Sequence, residues 1–425
     1  MTNNQPKTFL KQFLIPLLTV VMLSGCTPGW NPPVALEQVD FLTHAQTLSN
    51  GGIRVTAAIP GKKETELLFG TSLYNNKIQP VWLEIDNKSE GNYILIKAGI
   101  DRMRFSPLEA SYQRHSGDTA ERQAMDRFFH STDFPNPVMA GTVTSGFIFT
   151  NLDEGHKAVN VDLVGDNDVK NFSFLIKIPG IVTDVSQVDL DSLYNDFVEI
   201  TEEEELLTVL ESFPCCTTNE DGDEQGDPLN IIFIGEPNNI FSALIRSGWH
   251  QTEITYGRSI LKTIKSFFLG SSYRYSPISP LYALGRQQDI GLQKARRSVS
   301  LRNHMRLWRT KYNFQGKNVY LGQISRDIGV KFKWRTITTH VIDPNLDDTR
   351  NDLIGELAYS QNLVKIGFAK GSQLSTMADP HYNLTPDPYY SDGLRAVLFF
   401  DERPTALNQI EILNWQRSVI HLIKE

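Results

Sequence analysis

Hydrophobic positions divide the chain into two regimes. Between residues 35 and 182 they fall in short runs rich in β-branched and aromatic side chains: 53–59, 81–86, 93–97, 143–150, 159–164 and 172–178. Turn residues such as Asp153-Glu154-Gly155 and Gly165-Asp166-Asn167-Asp168 separate them, and Phe172-Ser173-Phe174-Leu175-Ile176-Lys177 alternates with a period of two. That pattern predicts an all-β, sandwich-like domain over 35–182, interrupted by one helix at 119–130. Residues 183–227 read as an acidic linker containing a helix, opened by the capping-box spacing of Thr201 and Glu204 ahead of Leu206, Leu207 and Leu210.

From 228 to 400 strands and helices mix without strict alternation, which predicts an α+β domain. Its expected parts are a strand at 229–234, a helix from Asn239 stopped by Gly248, a helix at 259–268, and mostly strands from Leu281 onward. A further helix is expected with Asp343 as N-cap and Pro344 at its first position, followed by a last strand at 394–400. Leu407, Ile410, Leu413, Ile420 and Ile423 predict a C-terminal helix within 401–425. The fold class expected is therefore mixed: an N-terminal all-β sandwich-like domain followed by an α+β domain.

The first residues follow neither pattern. Lys7 and Lys11 precede an eleven-residue apolar run at 13–23, the length of a signal h-region and too short to span a bilayer as a helix. The run ends in Leu23-Ser24-Gly25-Cys26, which resembles the bacterial lipobox. The resemblance implies a signal peptide over 1–25, a thioether-linked diacylglycerol on Cys26 and an amide-linked acyl chain such as palmitate. Two or more chains give stable anchoring where one gives marginal binding. Residues 26–34, with Thr27 after the Cys, three prolines and a glycine, read as a tether. The expected location is a bacterial membrane, facing the periplasm or outside, with the outer membrane favoured by Thr27 rather than Asp after the lipidated Cys.

The whole chain of 425 residues has a net charge of −8, and loss of 1–25 removes two lysines and no acid, giving −10. That sign gives no support for nucleic-acid binding. With Cys26 spent on lipid, only Cys215 and Cys216 remain, which excludes a disulfide framework and leaves a vicinal disulfide, a reduced pair or a metal ligand pair open.

Candidate chemistry concentrates at 298–332. Read as a strand, Val299, Leu301, Met305 and Leu307 share one face, and Arg302, His304, Arg306 and Trp308 the other. A second strand places Tyr320, Ile324, Ile328 and Val330 against Gln323, Ser325 and Asp327. A two-residue turn at Gln315-Gly316 pairs His304 with Asp327 and Arg306 with Ser325; a four-residue loop pairs His304 with Ser325 and Arg302 with Asp327. A carboxylate beside His fixes its tautomer and raises its basicity, and paired arginines suit a phosphate or carboxylate. An ordinary salt-bridge lattice explains the same residues. His340 and Asp343, with Asp347, form a second cluster that suits a metal or an acid. Serine-hydrolase, HExxH and phosphate-loop motifs are absent, so the sequence names no cofactor and leaves the metal content open.

Several blocks resemble the LssY C-terminal domain family: Asp227-Pro228-Leu229-Asn230, Ser279-Pro280-Leu281-Tyr282, Arg302-x-His304-x-Arg306-Leu307-Trp308-Arg309, Ser325-Arg326-Asp327, Thr339-His340-x-Ile342-Asp343-Pro344 and Ser391-Asp392-Gly393-Leu394. In other members this domain is fused to membrane domains, which implies work near lipids or envelope transport but no defined reaction. Two functions are expected from all of this. One is a membrane-anchored lipoprotein whose second domain binds an anionic envelope ligand or partner protein through Arg302, His304 and Arg306. The other is a hydrolase of a phosphorylated or lipid-derived substrate, with His304 as base, Asp327 as its orienter, Arg306 as clamp, and His340 and Asp343 as acid or metal ligands.

Overall fold

The computed structural model describes residues 30, 33–115, 117–153, 155–178, 190, 192–251, 278–298, 301–331 and 339–415. Cys26 with its lipobox and the helix expected at 259–268 lie outside the described residues. The chain is predominantly β, in several sheets, and among the described residues no helix is long and apolar enough to cross a membrane.

In the first half, β1 (Gln46–Asn50), β2 (Ile53–Ala58), β3 (Ile78–Asn87) and β5 (Thr142–Asn151) form one antiparallel sheet. A second contains β4 (Ile94–Leu95), β6 (Gly155–Val164) and β7 (Val169–Ile178). Val55, Ile85 and Ile148 of the first meet Val161, Phe174 and Ile176 of the second in one core. Between the strands lie helices α1 (Lys62–Phe69), α2 (Lys97–Ile100), α3 (Pro107–Tyr112) and α4 (Thr119–Ser131). Phe69 of α1 and Phe129 of α4 cover the outer side of the first sheet at Ile78, Trp82, Phe147 and Phe149. That sheet is thus buried on both sides, which is why β3 is buried almost throughout instead of alternating.

In the second half, ten strands of the described residues form one mixed sheet. The path runs β12 (His250–Gln251), β15 (Ile290–Ser298), β16 (Leu301–Phe314), β17 (Lys317–Lys331), β11 (Ile231–Gly235), β22 (Leu394–Phe400), β19 (Leu363–Lys370) and β23 (Glu411–Ile412). Beside β16 lies β8 (Val198–Ile200), and beside the far end of β17 lies β18 (Thr339–Ile342). Helix α5 (Glu203–Ser212) puts Leu206 and Leu210 on one face, against Ile232, Trp308, Leu321 and Val397. Helices α6 (Pro237–Arg246) and α7 (Leu346–Ala358) pack on the other, against Phe233, Leu307, Ile324 and Leu398. A small sheet of β9 (Cys216–Thr218), β10 (Gln225–Pro228), β13 (Tyr282–Ala283) and β14 (Arg286–Gln287), and a hairpin of β20 (His381–Tyr382) and β21 (Pro388–Tyr389), complete this half.

Three expectations change. From residue 198 the expected linker is part of the second half, because β8 extends the sheet and α5 supplies its core. The two expected helix caps do not form: Asn345, not Asp343, accepts the Asp348 amide at 3.2 Å, and α5 begins after Glu202 with no side-chain cap, Thr201 donating instead to Glu202 at 3.5 Å. Where a tail helix is expected, Leu407–Gln409 makes one 3-10 turn and Glu411–Ile412 pairs with β19, satisfying that edge strand; residues 416–425 lie outside the described residues.

The halves meet at Asp162 of β6. Its carboxylate lies 2.9 Å from Arg403 Nη1 and 3.7 Å from Arg246 Nη2, and the Arg403 side chain has no solvent exposure. Removing one partner of such a pair strands the other charge without water. Asp162→Ala is therefore expected to lower stability by about 3 kcal/mol, measured by urea denaturation; a loss below about 0.5 kcal/mol, the size of an exposed pair, would show that the arginines hold no seam.

Candidate functional site

The β16–β17 hairpin is closed by Gln315 and Gly316, both with positive φ (49° and 76°), the backbone of a two-residue turn. Farther from the turn, however, His304 stands opposite Ser325 and Arg306 opposite Gln323. The turn matches one expected register and the cross-strand partners match the other. The two are reconciled by a bulge, in which residues 310–312 of β16 span against Val319 alone. The buried Arg309 guanidinium holds this bulge, donating to the carbonyls of Thr310 (2.5 Å), Tyr312 (2.8 Å) and Val319 (3.3 Å).

The faces alternate as expected, but neither is a solvent face. Met305 and Leu307 enter the core under α6 and α7. Arg302, His304, Arg306, Ser325 and Asp327 all have less than 9 % exposure and line one cavity of about 300 Å3. An exposed salt-bridge lattice is therefore excluded. The cavity is roofed by Ile278, Ser279 and Leu281 on one side and Asn383, Leu384 and Thr385 on the other, with Asp227 and Ile342 at its margin.

Each charge in the cavity has a defined partner. His304 Nε2 lies 2.5 Å from Asp327 Oδ2, and Arg302 Nε is 3.6 Å from the same oxygen. Arg302 also donates to Gln293 Oε1 at 2.7 Å. Arg306 donates to Ser279 O at 3.2 and 2.9 Å and to Gln323 Oε1 at 2.9 Å, so one guanidinium ties the roof to the floor. Gln323 in turn donates to Asp227 Oδ2 at 3.4 Å, and Asn383 donates to Asp227 Oδ1 at 3.1 Å.

Burial decides the protonation states. It lowers the His304 pKa to about 4, outweighing the attraction of Asp327, and Arg302 and Arg306 push the same way. His304 is thus the neutral imidazole at neutral pH. Burial also raises the Asp227 carboxyl, helped by Asp327 and Asp387 and opposed by Asn383 and Arg306. The cavity so combines two guanidiniums, a neutral histidine on a carboxylate, a serine hydroxyl and a second carboxyl biased toward its acid form.

Asp343 and Asp347 of the second expected cluster do not join it. Asp343 donates its amide to Arg326 O at 2.7 Å and accepts the Asn345 amide at 3.0 Å; its carboxylate sits 3.9 Å from Arg326 Nη1, on the α7 side with Asp348 and Asp352. His340 is opposite Val330 in the β17–β18 ladder, and its side chain lies outside the described residues. Asp347 accepts from Ser391 Oγ (2.8 Å) and the Asp392 amide (2.7 Å). Among the described residues no group of three or more His, Cys, Asp or Glu is arranged to hold a metal. Asn219 closes the β9–β10 turn by accepting the amides of Asp223 (3.2 Å) and Glu224 (3.3 Å). Cys215 and Cys216 form a vicinal disulfide.

Sequence reasoning passes over Asp227 as a site residue, although it heads a quoted motif. That motif has a structural logic: the Asn230 side chain donates to Ile324 O (3.1 Å) and accepts its amide (2.9 Å), adding a rung where β17 leaves β11 for β18. Asp227 is thereby set beside the cavity. Asn383 and Thr385 had no sequence signal, because a short hairpin brings them in from far along the chain.

No curated protein and no solved structure matches the chain. Residues 207–394, which contain every side chain of this cavity, match the family model described as LssY C-terminus; the chain carries an LssY C-terminal domain.

Proposed function

We propose that this chain is a lipid-anchored bacterial envelope protein whose second half, read as an α+β domain, binds an anionic envelope ligand in the Arg302–His304–Arg306 cavity. The observation that carries the reading is the convergence of these buried side chains, with Ser325 and Asp327, on one open-mouthed cavity. Its floor is cationic and polar, while Ile278, Leu281, Ile342 and Leu384 make the lining apolar. That combination fits a ligand with an anionic head and an adjoining apolar part. The sandwich-like first half serves as a spacer or binding module, and Cys26 as the lipid attachment. A hydrolase is the second reading, favoured by the 2.5 Å contact of His304 with Asp327 opposite Ser325. The carboxylate orients a neutral histidine that can accept a proton, although burial makes it a weaker base than a free imidazole. Asp343 has no part in either reading.

Three outcomes are expected. Dihexanoyl phosphatidylglycerol should bind the full chain in calorimetry, with affinity falling at least about tenfold in Arg306→Gln, about 1.4 kcal/mol. Unchanged affinity would remove the cavity from ligand recognition, whereas wild-type turnover of the probe that His304→Ala abolishes would favour the hydrolase.

The second outcome concerns pH. The unfolded chain takes up a proton near His304's ordinary pKa of 6.5, while the folded chain resists to about 4. His304 therefore makes stability fall as pH drops through that window, by an amount on the order of 2–3 kcal/mol. The stability difference between wild type and His304→Gln should shift by that order between pH 7 and 4.5; identical pH slopes would mean that His304 titrates normally.

The third tests the anchor. Cys26→Ser should move the protein from the membrane to the soluble fraction, and continued membrane association would refute lipid attachment at that residue.

A further inference from the structure

A second cavity, of about 450 Å3, lies along the seam between the halves. Asp101, Arg102, Asn151, Asp153 and Lys157 bound it from the first half, and Ile245, Arg246 and His250 from the second. The acids here are already committed. Asp101 Oδ2 accepts from the Asn151 amide (2.6 Å) and its side chain (2.9 Å), and Oδ1 from the Met103 amide (2.8 Å). Asp153 accepts from the buried Lys157 ammonium at 2.8 Å. Behind the cavity, Asp162 Oδ1 lies 2.9 Å from Arg403 Nη1 and accepts from Asn171 at 2.8 Å.

The cations are less well served. Arg246, with 17 % side-chain exposure, has its Nη1 3.4 Å from Ser360 O and its Nη2 3.7 Å from Asp162. Arg102, which lines the cavity from the first half, is exposed and has no hydrogen bond or ion pair among the described residues. Burial together with the like charges of Arg403 and Arg102 pulls the Arg246 pKa down to about 10, against the single opposing charge of Asp162. Arg102, Lys157 and Arg246 outnumber Asp101 and Asp153 around the cavity by one charge, which leaves a place for an external anion. The planar forks of the two guanidiniums and the neighbouring ammonium suit a phosphate, which can accept two parallel N–H donors from each fork.

We propose that the seam cavity binds a small phosphomonoester, clamped between Arg246 and Arg102 and flanked by Lys157. The cavity is ample for a phosphate bearing a short organic group, and the two guanidiniums come from different halves, so occupancy ties the halves together. This site is separate from the Arg302–His304–Arg306 cavity and does not depend on it.

Calorimetry on the full chain with sn-glycerol 3-phosphate and with inorganic phosphate tests it. Saturable binding is expected, tighter for the ester, with a component whose Kd rises at least about tenfold in Arg246→Gln and in Arg102→Ser and which persists in Arg306→Gln. Arg102→Ser is the safeguard, since that exposed side chain contributes no contact that Arg246→Gln would also remove from the seam. The proposal is overturned by the absence of saturable heat, by binding that both seam variants leave intact, by loss in Arg306→Gln alone, or by tighter binding of inorganic phosphate than of the ester.

Discussion

Two long strands buried on both faces govern the second half of this protein. A strand covered on one side can turn its charged residues to water, but β16 and β17 have no such side. Arg302, His304, Arg306 and Asp327 must find their counter-groups inside the molecule, because an unpaired interior charge costs several kcal/mol. Segments far apart in sequence are recruited for this. Ser279 gives its carbonyl to Arg306, Gln293 gives its amide oxygen to Arg302, and the Asn383 turn reaches Asp227. Polar satisfaction thus assembles the roof over the floor, and the cavity is the space left between them.

The same demand recurs away from the cavity with a different result. Arg395 has no exposure and is surrounded by main-chain carbonyls, including those of Leu229 (2.8 Å) and Leu210 (2.7 Å), so it joins α5 to the sheet. Arg350 makes a two-pronged contact with Asp392 at 2.8 and 2.9 Å and fixes α7 against the start of β22. These guanidiniums are fully surrounded by acceptors and are structural. The contrast with Arg246, whose nearest acceptors stand at 3.4 and 3.7 Å, is what distinguishes a binding group from a brace.

Much of this was legible in the sequence because period-two patterning reports faces directly. Arg302, His304, Arg306, Ser325 and Asp327 could be grouped from alternation alone, and they do share a cavity. What alternation cannot report is whether the polar face meets water, since coverage depends on segments such as 278–281 and 383–385 that carry no periodic signal. Asp343 was misjudged for a related reason. Its spacing from Pro344 is that of a helix start, yet Asn345 competes for the same amides and takes the cap, leaving Asp343 beside Arg326. In the first half, the strands were visible as short β-branched runs; α1 was hidden by its brevity and its Gly61 cap, and α3, despite the Ser106–Glu109 capping box and Pro107, by its six-residue length.

The bulge at residues 310–312 has a consequence for how this sequence selects one structure. A slip of two residues between β16 and β17 leaves every side chain on its own face, so hydrophobic burial is nearly degenerate between the two pairings. The choice cannot come from the core. The looped-out chain is held by the Arg309 guanidinium on three carbonyls and by Thr310, whose hydroxyl donates to Val319 O at 2.9 Å and accepts the Tyr312 amide at 3.2 Å. A local backbone irregularity therefore stores the information that sets His304 across from Ser325, and the turn beyond it is free to diverge in sequence without disturbing that alignment.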